Sequence, residues 1–381
     1  MSAYDAADER DIRAFGHVDD WAASGLISDD QRARMAADVR VDLRRTNRFL
    51  RATLFIFGFL IINAVAGLVV VIVDVNDEFF VSILCGIAGV SAFAVAALLV
   101  GKYRLYRFGI EEAGAVASVV FFAVSAALLL EPWVPDDLLF SIAMATAAAG
   151  AFAVFRHFGY VYAATAAVAC AALVPYQLTD VDWARRLCSI TILAGAFVIA
   201  RQRRQRHGDE FPGDTWSVVE AVAWGGIYFV INLQLSSWLS HADESGPFYW
   251  GTYAATWMLP AAGVWIAVRD RHRLLLDVSS VAALATLMTN KAYLGAPRYP
   301  WDPIVFGVLL IGVALGLRRY LAGGTRNGFV TDRLLASEKE RLALAGTASV
   351  LQPTGHASHP SASEPSTGGG RSGGAGASGS Y

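Results

Sequence analysis

The chain has 381 residues, of which 55% are hydrophobic and 17% charged, and its mean hydropathy is +0.44. Soluble globular domains carry about 25% charged residues. Here the charges lie in short clusters between long charge-free runs, which excludes an ordinary soluble domain and indicates a polytopic membrane protein. The formal net charge of -2 is uninformative, because positive and negative residues are concentrated in different regions of the chain. The sequence shows no basic folded domain that could bind nucleic acid.

Residues 21–35, WAASGLISDDQRARM, predict the end of one short helix and the start of another. The first helix is expected to end at Gly25, and Ser28 with Gln31 has the spacing of a capping box. The second helix is amphipathic through Met35, Val39 and Leu43. Residues 1–51 therefore form a cytoplasmic helix pair, without the apolar core of a cleavable signal peptide.

A helix pair of this size cannot build a core of its own. We therefore expect it to dock on the cytoplasmic face of the membrane domain. The alternatives are that it lies on the membrane surface or holds a cytoplasmic protein partner.

The segment 52–320 contains ten apolar runs, and a helix needs about 20 such residues to cross the hydrocarbon core. The runs are 52–73, 79–100, 113–130, 137–155, 158–175, 186–200, 216–239, 248–268, 274–290 and 303–320. With the N-terminus inside, the only lysines and arginines that fall outside are Arg185, Arg186, Lys291 and Arg298, as the positive-inside rule requires. The sequence predicts an all-α membrane bundle of about ten transmembrane helices with both termini cytoplasmic.

The outer loops are rich in tryptophan and tyrosine, as in EPWVPDD and PRYPWDP. These amphipathic rings concentrate where the bilayer meets water. An interfacial aromatic belt on the outer side is the expected result.

Catalytic and metal-binding motifs are missing from the sequence. There is no Walker A, GxGxxG, HExxH or GxSxG pattern. The 7 histidines fall in loops or tails, and Cys85, Cys170 and Cys188 lie in apolar runs without metal-ligand spacing. We therefore predict no catalytic residue, no metal site, no cofactor and no enzymatic activity.

Ionisable residues inside spans are the next candidates, because they are costly there and usually functional. Glu112, Glu220 and Asp277 all lie at the cytoplasmic ends of outward-running spans. A helix N-terminus favours a carboxylate by about 0.3–1 kcal/mol, so one interpretation is helix-end stabilisation, with ion-pair partners among Arg107, Arg206 and Arg273. The other is a cytoplasmic acidic cluster that binds a cation, a proton or a small solute.

Asn63 and Asn232, followed by Gln234, are the deeper polar candidates. Amides inside spans hydrogen-bond between helices or contact a substrate, and Pro260 introduces a kink into the eighth span. The sequence entering spans two and three resembles the sequence entering spans six and seven. This similarity predicts a parallel repeat of four spans.

The C-terminal region differs in composition. Residues 321–346 predict a cytoplasmic amphipathic helix, and residues 347–381 form a Gly/Ser-rich tail that we expect to be disordered. The arginine cluster RQRRQRHGDE between spans six and seven suits anionic lipid headgroups.

The N-terminal motif consists of Trp21, Gly25, Leu26, Ile27, Ser28 and Gln31, followed by RRTNRFLRA and a hairpin array of spans. Over about residues 15–130 this resembles the bacterial predicted membrane proteins of domain of unknown function 2157. Members typically close span one with a small-residue, Asn-Trp ending, where this chain reads VVVIVDVNDEFF. The resemblance implies an inner-membrane location and a short cytoplasmic module, and it implies no established activity.

These features predict a non-enzymatic, multi-pass protein of the bacterial inner membrane with a role in assembly, envelope maintenance or regulation. The alternative is a transporter or permease for a small solute or ion that uses Glu112, Glu220 and Asp277. The expected partners are the lipid bilayer with its anionic headgroups and a cytoplasmic protein; nucleic acid is not expected.

Overall fold

The described part of the chain is almost entirely α-helical. The computed structural model describes residues 4, 6–23, 27–38, 43–44, 46–73, 77–206, 215–237, 246–297, 299 and 301–322. The helices are α1 (Ala6–Ala23), α2 (Asp29–Asp38), α3 (Arg48–Val73), α4 (Glu78–Gly101), α5 (Ile110–Leu130), α6 (Asp136–Phe158), α7 (Val161–Leu173), α8 (Asp182–Arg206), α9 (Thr215–Ile231), α10 (Pro247–Arg269), α11 (Arg273–Tyr293) and α12 (Asp302–Ala322). The predicted helix 321–346 and the tail 347–381 lie outside the described residues, except residues 321 and 322, which end α12.

Helices α3 to α12 coincide one to one with the ten apolar runs of the sequence. Five of them (α3, α4, α5, α6 and α8) are long and apolar enough to cross a membrane, and α7, α9 and the central part of α12 are shorter apolar helices. The described helices suit the hydrocarbon core of a membrane, because a helix satisfies its backbone hydrogen bonds internally where no water is available.

Two predicted runs extend past the end of the observed helix, and the sixth run, 186–200, is shorter than α8. α9 ends at Ile231, well before residue 239, because the following backbone turns at Asn232, whose Oδ1 accepts a hydrogen bond from Leu235 N at 3.2 Å. α7 ends at Leu173, and the chain continues as a 3₁₀ turn over Val174–Gln177, where Pro175 cannot donate a backbone hydrogen bond.

Helix packing repeats with a period of four helices. α4 packs extensively on α5, and four helices later α8 packs extensively on α9. The contacts of α3 with α5 and of α5 with α6 recur as α7 with α9 and α9 with α10. These recurring contacts favour the parallel repeat predicted from the sequence, but the match is partial, because α9 packs on α11 whereas α5 and α7 have no comparable contact among the described residues.

Small residues allow α4 and α5 to lie close together. Ala96 is fully buried, and a Cβ added at Gly114 would stand 3.1 Å from the carbonyl oxygen of Ala92 and 3.3 Å from the Cβ of Ala96. Membrane helices associate through such close backbone approach, because burial from water contributes little between two lipid-soluble surfaces.

The predicted capping box is confirmed in the N-terminal helix pair. Ser28 N donates to Gln31 Oε1 at 2.9 Å, and Gln31 N donates to Ser28 Oγ at 3.3 Å. The first helix runs from Ala6 to Ala23, and Gly25, its predicted end, lies outside the described residues together with Leu26. Trp21 is 45% exposed and Ile27 is half-buried.

The second helix differs from its predicted amphipathic form. It ends at Asp38, Met35 is 39% exposed, and its other described side chains are exposed or half-exposed. Val39 lies outside the described residues, and Leu43 follows the helix and is partly buried against the bundle. The helix therefore contributes little to docking.

Docking on the bundle, the expected arrangement, depends on residues outside the motif. Tyr4 is buried, and its hydroxyl lies 3.2 Å from that of Tyr160, which precedes α7. Its ring also meets Tyr106 edge-on at 5.0 Å. Asp8 forms an ion pair with Arg104 at 3.4 Å.

The segment before α3 reinforces this docking. Arg44 N donates to Arg104 O, and Tyr106 N donates to Arg44 O, both at 3.0 Å, so the segment pairs with the connection between α4 and α5. The N-terminal module is therefore attached to the bundle at two places.

We expect Tyr4→Ala to release the N-terminal module while the bundle stays folded. Loss of a large buried aromatic side chain costs about 3–5 kcal/mol, and here that cost falls on a local docking contact. Limited proteolysis in detergent should cleave within residues 1–47 at least about tenfold faster. The control is Tyr103→Ala, whose ring is 54% exposed; equal cleavage rates for the two variants would contradict the docking role.

Candidate functional site

Glu112, the first of the three predicted acids, is buried at the N-terminus of α5 and paired with Arg51 of α3. Arg51 Nε donates to Glu112 Oε2 at 2.8 Å, and its Nη2 donates to Oε1. The helix N-terminus favours a carboxylate there. α3 can approach because Gly109 has a φ of 114°, and a Cβ at that position would collide with the carbonyl oxygen of Arg51.

Glu111 is a second buried acid at this helix end, and the sequence analysis did not single it out. Its Oε1 accepts a hydrogen bond from Phe108 N at 2.5 Å, which satisfies a backbone donor just before the helix. The two adjacent glutamates of EEAG, at the start of an apolar run, could have indicated this second acid from the sequence. Glu112 thus has both oxygens paired, whereas Glu111 satisfies one backbone donor and keeps its buried Oε2 without a hydrogen-bond partner among the described residues.

Glu220 occupies the comparable place at the start of α9 and belongs to a different cluster. Arg204, at the end of α8, donates its Nε to Glu220 Oε2 at 2.6 Å. Asp270, in the turn after α10, lies 2.5 Å from Arg201 and 3.6 Å from Arg204. Together with His272 these residues form what we call the α8–α11 charge cluster.

His272 is neutral within this cluster. Its Nδ1 accepts a hydrogen bond from Leu275 N at 2.8 Å and thereby caps α11. Burial lowers the pKa of His272 to about 4, with a further contribution from the positive charge of Arg204. Its Nε2 lies 3.7 Å from Glu220 Oε2, yet that carboxylate is already neutralised by Arg204, so the histidine stays unprotonated.

The two glutamates therefore have arginine partners other than those expected from the sequence. The sequence analysis named Arg107 and Arg206 as candidate partners. Helix packing instead brings Arg51 to Glu112 and Arg204 to Glu220. Asp277 lies on an exposed position of α11. Asn63 is half-buried in α3 and donates to Phe59 O of the same helix at 2.7 Å.

The three acids do not converge on one cavity. Glu112 lies between α3 and α5, Glu220 lies among α8, α9 and the start of α11, and Asp277 faces outward. Among the described residues, one apolar cavity of about 860 Å³ lies between α6, α7, α8 and α9, and another of about 520 Å³ lies between α5, α6 and α7. None of the three acids lines either cavity.

Asn232, by contrast, is at the centre of a buried hydrogen-bond network at the other end of α9. Its Nδ2 donates to Tyr228 OH and to Thr289 Oγ1, both at 3.0 Å. The Tyr228 hydroxyl lies 2.9 Å from Thr286 Oγ1, which donates to Thr256 O at 2.8 Å. The network joins α9, α10 and α11, which is the helix-joining role of a membrane amide.

Arg186, which the sequence analysis treated only as an outer basic residue, is fully buried beside this network. It forms an ion pair with Asp182 one turn earlier at 2.9 Å. Its Nη1 donates to Val230 O at 2.8 Å and to Ser236 Oγ at 2.6 Å. The Asp182–Arg186 spacing was the available signal, since residues four apart share a helix face.

These arrangements are structural in character. Among the described residues, the buried Glu112, Glu220 and Arg186 each have a partner of opposite charge, as the interior requires. In the part of the chain that the structure describes, no group of three or more His, Cys, Asp or Glu side chains could hold a metal ion. The chemistry that the described clusters support is the pairing of charges between helices.

We expect Arg186→Ala to destabilise the bundle strongly. Removing one partner of a buried ion pair costs about 3–5 kcal/mol, and here Asp182, Val230 and Ser236 also lose a donor. The measurement is thermal or denaturant unfolding of the purified protein in detergent. The control is Arg185→Ala on the same helix end, because Arg185 pairs with the fully exposed Asp180 and donates to Thr179 O of its own loop. Its loss should destabilise the protein clearly less than the loss of the fully buried Arg186; similar effects for the two variants would contradict the assigned role of Arg186.

The contribution of His272 to the free energy of unfolding should fall as the pH is lowered from about 6.5 to 4. The native state holds this histidine neutral with a pKa of about 4, against 6.5 for an unperturbed histidine, so the unfolded chain binds the proton more tightly in that window. The contribution is fully present above about pH 6.5 and amounts to about 3 kcal/mol. Asparagine can cap α11 without titrating, so unfolding of His272→Asn should lack this part of the pH dependence; parallel pH profiles for both proteins would refute the prediction.

Comparison with known proteins places the chain in no described group: no protein-family model, curated protein or solved structure matches it. The resemblance of residues 15–130 to domain of unknown function 2157 stays a prediction.

Proposed function

We propose that this protein is a non-enzymatic integral scaffold of the bacterial inner membrane, with a role in assembly, envelope maintenance or regulation. The observation that carries the proposal is the separation of the candidate acids. Glu112 and Glu220 each bind their own arginine, in different helix groups and outside both cavities. Charges neutralised in this way stabilise helix contacts and offer no common site to a passing ion.

The ten-span topology with both termini cytoplasmic belongs to this proposal. Two observations support it. On the outer side, Arg185, Arg186 and Lys291 each pair with a carboxylate, respectively Asp180, Asp182 and Asp302. At the same ends Trp133, Trp183, Trp250 and Trp301 are all more than half exposed, as expected of an interfacial belt.

The docked N-terminal module supports a role on the cytoplasmic side. Its capping box and its attachment through Tyr4 make it a fixed part of the bundle, while α2 leaves most of its surface exposed. A rigid exposed helix on the cytoplasmic face is a suitable place for a cytoplasmic protein partner. The motif of domain of unknown function 2157 lies in the same module, which favours a related role.

A small-solute or ion transporter is the second candidate. The order of helix contacts repeats after four helices, as in transporters built from parallel repeats. Pro260 also lies inside α10, where it removes a backbone hydrogen bond. Neither feature brings the three acids together, so this candidate ranks second.

Thermal unfolding of Glu112→Gln, Glu220→Gln and Asp277→Asn against a panel of ions and small solutes tests the proposal. A ligand at about 100 times its dissociation constant adds about 2.7 kcal/mol to the native state. For a scaffold, we expect no solute or ion to stabilise the wild-type protein. Glu112→Gln and Glu220→Gln should each lose about 1–3 kcal/mol, because a hydrogen-bonded charge pair is broken, while exposed Asp277→Asn should stay within about 0.5 kcal/mol.

A solute or ion that stabilises the wild-type protein, but not the two glutamate variants, would overturn the scaffold proposal in favour of transport. Asp277→Asn is the matched control, because it removes a carboxylate at a comparable helix position without breaking a buried pair. Equal stability of all three variants would contradict the structural role given to Glu112 and Glu220.

A further inference from the structure

The larger cavity is a groove whose shape comes from the composition of α7. That helix reads VYAATAAVACAAL, and its small side chains leave it recessed between α6 and α8. Larger apolar side chains on the flanking helices form the walls, with Phe152 on α6 and Ile199 on α8 both more than half exposed. The groove has a volume of about 860 Å³.

The groove has one basic end. Arg156 lies in the last turn of α6 and Arg203 in the last turn of α8, and both line the cavity. The N-terminus of α9, with Thr215 and Trp216, lines the same end and adds a positive helix end. The other lining residues are apolar, apart from Thr191 at the opposite end of the groove.

Its length matches one leaflet of a bilayer. Thr191 and Arg203 mark its two ends along α8, and twelve residues at about 1.5 Å each span about 18 Å. Half of a bilayer with its headgroup region is about 20–22 Å thick. In the ten-span topology the basic end lies at the cytoplasmic surface. The groove therefore places its positive charge at the level of the lipid headgroups and its apolar lining at the depth of the acyl chains.

We propose that this groove binds one anionic phospholipid of the cytoplasmic leaflet, with its phosphate between Arg156 and Arg203 and an acyl chain along α7. The arginines supply the charge complementarity, and the alanine-lined recess accommodates the chain. This binding rests on the ten-span topology of the proposed function, but it requires neither the scaffold role nor the transporter role.

The test is lipid titration of the delipidated full-length protein in detergent, followed by native mass spectrometry. Phosphatidylglycerol is the anionic probe, phosphatidylcholine the zwitterionic comparison and inorganic phosphate the headgroup alone. We expect one phosphatidylglycerol to bind at least about tenfold more tightly than phosphatidylcholine, since each base near the phosphate adds to the attraction, and inorganic phosphate to give no comparable binding.

Two variants separate headgroup recognition from chain recognition. The double variant Arg156→Gln/Arg203→Gln should lose the preference for phosphatidylglycerol, whereas Arg206→Gln, in the same cluster but outside the groove, should keep it. Gly195→Leu should weaken both lipids at least about tenfold, because a side chain there meets open space inside the groove. The matched control is Gly251→Leu, which also meets open space but on α10.

Equal binding of both lipids to the wild-type protein, or a retained preference for phosphatidylglycerol in the double arginine variant, would overturn the proposal and leave only ordinary annular lipid. The same holds if Gly195→Leu and Gly251→Leu behave alike. If Gly195→Leu fails to fold, as judged by its unfolding temperature without added lipid, the arginine comparison alone decides. Failure of the scaffold proposal would appear instead as solute stabilisation lost in the glutamate variants.

Discussion

The pairing of charges that have left water is the constraint on which the rest of this bundle depends. An unpaired ion in a low-dielectric interior is too costly to keep, so Arg186 has Asp182, Glu220 has Arg204 and Glu112 has Arg51. Each pair except the one within α8 joins two different helices. The two pairs between helices therefore hold particular helix ends together, while small residues such as Gly114 set how closely the apolar surfaces pack.

The same constraint distinguishes the two ends of the bundle. At the end with the α8–α11 charge cluster, ion pairs hold the helix termini, and a neutral His272 caps α11. At the opposite end, Arg186 stands beside a network of neutral hydroxyl and amide groups around Asn232. Hydrogen bonds between such groups are individually modest in membranes, so the arginine is the larger contributor there.

The close packing of α4 on α5 and the groove beside α7 both depend on where small residues lie. α5 tolerates close approach by α4 because of Gly114, whereas the alanines of α7 leave space. A stripe of small residues thus has opposite results in two places. Facing a neighbouring helix it permits tight contact, and facing outward between two larger helices it creates a recess.

The sequence by itself determined the positions of α3 to α12, the proposed direction of each span and the capping box at Ser28, because these depend on local composition and on spacings of three or four residues. It identified Glu112, Glu220 and Asn232 as buried polar residues but did not determine what they contact. Arg51 lies 61 residues from Glu112 in the chain, and no local pattern links them. The burial of Arg186, the capping role of His272 and the groove beside α7 were decided only by tertiary structure, because each depends on which helices pack together and how closely.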